Sequence, residues 1–136
     1  MTMSGTIKQL GKEKKIFISL IIMMFFVLTM PLKGQDTKVN DLKKFYQNNC
    51  AKCHGVDGSA KGEDGKKLKG EDFTDQKWLK ETKDDKMIKV ILEGKFFGLA
   101  MPAYKEELTK EEAQLMVTEI IRKSKKGKII KPDLKK

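Results

Sequence analysis

Cys50, Cys53 and His54 stand together in the run Cys50-Ala51-Lys52-Cys53-His54, and they are the only cysteines and the only histidine of the 136-residue chain. Two thiols three residues apart share one turn. From there they can reach the two vinyl groups of a single porphyrin, with the next imidazole placed to meet its iron. Cys-x-x-Cys-His is accordingly the attachment signature of c-type haem. A structural zinc site would need a second ligand pair, and the chain has no further Cys or His to supply one. A thiol–disulfide site of the Cys-x-x-Cys kind usually follows a strand in a βαβ setting, whereas here the preceding residues read as helix. The expected cofactor is therefore one haem c, joined through Cys50 and Cys53, with His54 as an iron ligand.

A second axial ligand has three candidates beyond the N-terminal segment: Met87, Met101 and Met116. Met87 adjoins Ile88 in a predicted helix, and Met116 lies on the apolar stripe of the last helix, so both read as core filler. Met101 lies in irregular chain directly before Pro102. Proline fixes the backbone and biases its predecessor to an extended shape, which holds a thioether at a set depth. Met101 is the expected sixth ligand. His/Met ligation raises the reduction potential and leaves no open position on the iron.

The elements that must hold these residues read as all-α. Asp36–Asn49 is a predicted helix with Leu42, Phe45 and Tyr46 on one face, capped by Asn40 or Thr37. The stretch after His54 carries Gly55, Gly58, Gly62, Gly65 and Gly70 and reads as a loop able to follow a flat surface closely. A short helix over 74–80 carries Trp78 and Leu79. A firmer one over 82–93 starts with a Thr82/Asp85 capping pair, buries Ile88, Ile91 and Leu92, and stops at Gly94. The last helix opens with Thr109 and Glu112 as a capping box. Its buried stripe is Ala113, Met116, Val117, Ile120 and Ile121, and Gly127 ends it at the latest. No alternating strand pattern of useful length occurs. The apolar residues are too few for a full core, so a bound group is expected to fill the middle.

The ends of the chain read differently from its centre. Lys8, Lys12, Lys14 and Lys15 precede fifteen uncharged residues, 16–30, and then Pro31. As a helix that run reaches roughly 22 Å, short of the ~30 Å hydrocarbon core. Residues 1–34 thus read as an export signal, with Gly34 as the last residue before cleavage, or as an uncleaved anchor. The domain follows at 35–124, and a basic tail at 125–136. The chain carries 29 Lys+Arg against 19 Asp+Glu, a formal charge of +10. Much of the excess sits in the two ends: residues 122–136 hold eight basic groups and only Asp133 as an acid. Nucleic-acid binding would need a basic, aromatic-bearing folded face, and none is evident. The tail reads as a solvated end, as a contact for anionic lipid, or as a segment that packs back through Ile129, Ile130 and Leu134.

At these residues the chain resembles the class I c-type cytochromes. The resemblance runs from about residue 38 to 123 and rests on three stretches. These are Cys50–His54, the methionine loop Glu93–Tyr104 containing Met101-Pro102-Ala103-Tyr104, and Leu108-Thr109-Lys110-Glu111-Glu112 leading into the last helix. It implies a small all-α cytochrome c fold, three to four helices wrapped on one haem whose edge faces partners. Tyr46 matches the aromatic usually found four residues before the first Cys. Leu42 stands where relatives often have Gly, and Thr118-Glu119-Ile120 lacks the usual aromatic, so Leu42 is expected to pair with Val117 or Ile120 instead. The glycine-rich loop lacks the Pro often seen in relatives. Leu68, Phe73, Trp78 and Ile91 are the expected pocket wall.

The resulting expectation is a monohaem electron carrier, not an enzyme. It works as a monomer in the periplasm or on the outer face of the cytoplasmic membrane, with a respiratory complex or oxidase as acceptor. Lys52, beside the attachment site, would steer toward acidic partners. Two alternatives stand beside it: a ligand-binding or sensing module in which Met101 releases the iron, and a haem subunit docked on a larger oxidoreductase. Peroxidase chemistry would want a distal acid–base residue, and there is no second His.

Overall fold

The computed structural model describes residues 33–133. The apolar run 16–30 and residues 134–136 lie outside the described residues, and so does the expected signal or anchor. Among the described residues no helix is long and apolar enough to cross a membrane.

Among the described residues five α-helices follow in order: α1 (Lys33–Asn49), α2 (Ala51–His54), α3 (Gln76–Glu81), α4 (Asp84–Glu93) and α5 (Lys110–Leu115). α5 runs on into a π-helical segment, Met116–Ile121. Only two isolated β-bridges occur among the described residues, Lys61 with Lys67 and Lys95 with Met101. The all-α reading holds.

Helical spacing explains which faces are covered. Leu42 and Tyr46, four residues apart on α1, are both buried. On α4 the buried residues are Met87, Ile88 and Ile91. The expected stripe Ala113, Met116, Val117, Ile120 and Ile121 is buried in full. Leu42, Val117 and Ile120 belong to one core cluster, as expected where the glycine–aromatic crossing is missing. The wider π register from Met116 to Ile121 keeps four apolar side chains buried within six residues.

The helix ends show where local signals hold and where they fail. Thr109 Oγ1 accepts from the Glu112 N–H, and the Glu112 carboxylate accepts from the Thr109 N–H, so the capping box is complete. Gly94 ends α4 with φ +75°. The expected Thr82/Asp85 pair is absent: Thr82 closes α3, and α4 begins at Asp84 after Lys83. The reason is tertiary. Arg122 donates to the carbonyl oxygens of Leu79 and Thr82 and pairs with the Asp84 carboxylate at 2.5 Å, which holds the α3–α4 corner in place. The short helix α3 is capped by Asp75, whose carboxylate accepts from the Lys77 and Trp78 N–H groups. Thr37 and Asn40, the expected caps, both lie inside α1, and the Asn40 side chain accepts from the Asp133 N–H at 2.9 Å.

That last bond belongs to a strap that returns over the domain. Asp57 accepts from the Gly127 N–H (2.7 Å), Val56 C=O accepts from the Ile130 N–H (2.8 Å), and Lys43 pairs with Asp133 at 2.7 Å. Ile130 is buried, while Ile129 is exposed. Residues 127–133 therefore lie against α1 and the turn that follows His54.

Candidate cofactor-binding cleft

One cleft takes up the centre of the domain, with a cavity of about 210 Å³. Cys50, Cys53, His54 and Met101 all line it, so the four residues expected at the site come together there. Of the expected wall, Phe73, Trp78 and Ile91 also line it, and Leu68 does not. Leu68 instead covers the glycine-rich loop, with Cδ2 3.7 Å from where a Gly62 Cβ would stand, while its N–H donates to the Ala60 carbonyl (2.7 Å). Phe45, Tyr46, Val90 and Tyr104 complete much of the wall.

His54 is fixed from three sides. Its ring is 4.3 Å from that of Phe73, stacked at 16°, and Phe73 in turn leans on Trp78. Nδ1 lies 3.0 Å from the Glu71 carbonyl oxygen. A carbonyl only accepts, so Nδ1 carries the proton and donates, and Nε2 keeps its lone pair for a ligand. Burial lowers the pKa of this imidazole and favours the neutral ring that a metal needs, against the opposing pull of the Glu71 carbonyl bond. Gly70 makes the arrangement possible. A Cβ there would come within 2.5 Å of the Cys53 carbonyl oxygen and 2.6 Å of His54 Nδ1. Its own N–H donates to that same carbonyl at 2.8 Å.

The two cysteines sit on the turn as their spacing requires. Both are free and partly buried. Burial first, then the neighbouring Cys53, pushes the Cys50 thiol up to about 12. A thiol held protonated is a poor nucleophile for disulfide exchange. Tyr46, buried beneath the turn, donates its hydroxyl proton to the Gly55 carbonyl at 2.9 Å. Burial raises the Tyr46 pKa above the usual phenol value, so it stays a donor.

Met101 is held differently. Its carbonyl accepts from the Lys95 N–H at 2.9 Å, and Gly98 and Ala100 N–H groups close the turn onto the Lys95 carbonyl. Gly94 allows the return of the chain, since a Cβ there would lie 2.6 Å from the Met101 carbonyl oxygen. Tyr104 anchors the far side: its N–H donates to Ile91 C=O (3.0 Å), its hydroxyl to Asn49 C=O (3.3 Å), and its ring meets Phe45 edge-on. Between these anchors Phe96, Phe97 and Leu99 are exposed. Phe96 and Phe97 both adopt positive φ, 51° and 56°.

The donor set fits a covalently bound haem. Two thiols are placed for thioether bonds, an imidazole has a free Nε2, the walls are aromatic and aliphatic, and three thioethers line the same cleft: Met101, on its loop, and Met87 and Met116, which are buried in the helical core as expected. Sequence reasoning missed Glu71, Gly70 and Tyr104. The carbonyl of Glu71 carries no residue-type signal at all. Gly70 was visible only as one glycine among five, and Tyr104 only as the end of a motif.

A fold of helices around this cleft, with this turn, defines a c-type cytochrome. Residues 37–118 match the family described as cytochrome c oxidase, cbb3-type, subunit III, and the chain belongs to that family. It is a class I c-type cytochrome with one haem-attachment motif, and thus of the haem proteins that carry electrons. Among solved structures it is similar to the KustC0563 c-type cytochrome, with 37% identity and a TM-score of 0.51 over 62% of this chain and 96% of that one. It is also similar to a tyrosine-to-phenylalanine mutant of Kustc0563, with 34% identity and a TM-score of 0.50 over 62% of this chain and 99% of that one. No curated protein matches.

Proposed function

We propose that this protein is an exported one-electron carrier. Its haem would be joined to Cys50 and Cys53 and ligated by His54 and Met101, and it would deliver electrons to a respiratory complex or oxidase. The observation that carries the reading is the convergence of the four residues on one cleft, with His54 Nδ1 already committed to the Glu71 carbonyl. A ligating histidine typically donates its other N–H in this way, which fixes the ring and raises its basicity. When bound, haem supplies an iron that cycles between two oxidation states. The chain's own residues do the rest. Phe73 and Trp78 hold the imidazole plane, and the aromatic and aliphatic wall excludes water. The short loop through Met101 sets the depth of the thioether.

Lysines favour an acidic partner. Lys52, Lys69, Lys86 and Lys95 line the cleft against Glu71 as its one acid, an arrangement that steers association. Electron-transfer contacts of this kind are small, often below ~1,200 Å². The N-terminal basic and apolar run supports export, and the family supports an oxidase setting.

Oxidised wild-type holoprotein should show the weak far-red charge-transfer band of thioether-ligated haem. Met101→Ala should lose the band and lower the midpoint potential, and its reduced form should bind carbon monoxide. A variant that kept both the band and the potential would remove Met101 from the iron.

A further inference from the structure

Two residues at the half-exposed rim of the cleft are each bonded to one of the proposed axial ligands. The Glu71 carbonyl accepts from His54 Nδ1 at 3.0 Å. The Lys95 N–H donates to the Met101 carbonyl at 2.9 Å. Their side chains then meet, with Lys95 Nζ 3.7 Å from Glu71 Oε1. A continuous path thus runs His54–Glu71–Lys95–Met101 through this chain's own atoms. It joins the loop that holds the imidazole to the loop that carries the thioether.

We infer that the Glu71–Lys95 ion pair is a latch that positions Met101. It resists the outward swing of the methionine loop that must precede release of the thioether. The inference rests on the axial pair proposed above. A half-exposed pair contributes little to global stability, but the loop it crosses is held by backbone bonds at its ends and is exposed at its tip. Phe96, Phe97 and Leu99 project into solvent, and two of these residues carry left-handed backbone strain. A small energy applied to that loop therefore acts on the closed-to-open equilibrium of Met101 rather than on unfolding. Glu71 and Lys95 are positioning residues, since each acts through the backbone or ring of another.

The test is a titration of oxidised, full-length holoprotein with imidazole, a neutral competitor for the sixth position, followed through the far-red band. Glu71→Gln and Lys95→Gln should each raise the apparent affinity for imidazole about threefold, the scale of one exposed ion pair. The double Gln variant should add nothing further. The swapped pair Glu71→Lys with Lys95→Glu should return toward wild type, and high salt should bring wild type to the level of the single variants. Net charge alone would move the midpoint potentials of the two single variants in opposite senses, whereas loss of a latch moves their imidazole affinities in the same sense. Single variants indistinguishable from wild type, or a double variant equal to the sum of two independent effects, overturn the latch while leaving the axial pair intact. A wild-type protein without the band overturns the axial pair and the latch with it.

Discussion

The two loops that supply the proposed iron ligands are built on opposite plans. The loop around His54 is rigid by construction. The imidazole is stacked on Phe73 and bonded to Glu71 C=O, and it is crowded by the backbone at Gly70. The strap 127–133 presses on the next turn through Val56 and Asp57. The loop around Met101 is held at its ends and free at its tip. Lys95 and Tyr104 carry the anchoring bonds, and Phe96, Phe97 and Leu99 between them touch solvent. The lesson is a division of labour. A ligand next to two covalent thioether links would gain from being immobile. A ligand with no covalent tether to the haem sits where a small change in loop energy alters its occupancy.

Changes at the two most crowded glycines test that contrast most severely. Gly70→Ala forces a Cβ into backbone at 2.5 Å and against the imidazole. It should cost about 3 kcal/mol, the upper end for overpacking, seen as a lower denaturant midpoint and a poor yield of haem-loaded protein. Gly94→Ala places a side chain at φ +75° and 2.6 Å from Met101 C=O. It should cost about 2 kcal/mol but express itself in the far-red band, with haem attachment preserved. Equal loss of attachment in both variants would erase the distinction between the loops.

Smaller changes sharpen it. Tyr46→Phe leaves the buried Gly55 carbonyl without its donor and should destabilise by about 1.5 kcal/mol, measured by chemical denaturation, with the band unchanged. Phe97→Asn should stabilise slightly, by up to about 1 kcal/mol, because Asn tolerates the left-handed conformation that Phe97 adopts. Thermal unfolding of the pair resolves that shift, and a destabilised variant would mean that Phe97 packs against something the exposed tip does not reveal.

Much of this was legible before the structure, and the reason lies in range. Cys50, Cys53 and His54 are fixed by spacing on a single turn, and Thr109 with Glu112 cap a helix within three residues. Met101 was marked by the proline beside it, and the burial of Ala113, Met116, Val117, Ile120 and Ile121 followed from period alone. What failed depended on partners far along the chain. Thr82 looked like a cap, but Arg122, 40 residues away, holds its carbonyl and turns it into the end of α3. Asn40 looked like a cap, and its side chain serves Asp133 instead. Leu68 looked like pocket wall, yet its side chain covers Gly62 in the glycine-rich loop. The carbonyl of Glu71 could not have been found, since every residue has one.

The claim beneath all of this is that one haem is bonded to the polypeptide through Cys50 and Cys53. Intact-mass measurement of the purified protein under denaturing conditions tests it most directly. The expected result is a single species equal to the polypeptide plus one haem, with the pigment still attached in acidified organic solvent. A polypeptide of unmodified mass, separating from its colour on denaturation after expression with a working maturation system, would contradict the account.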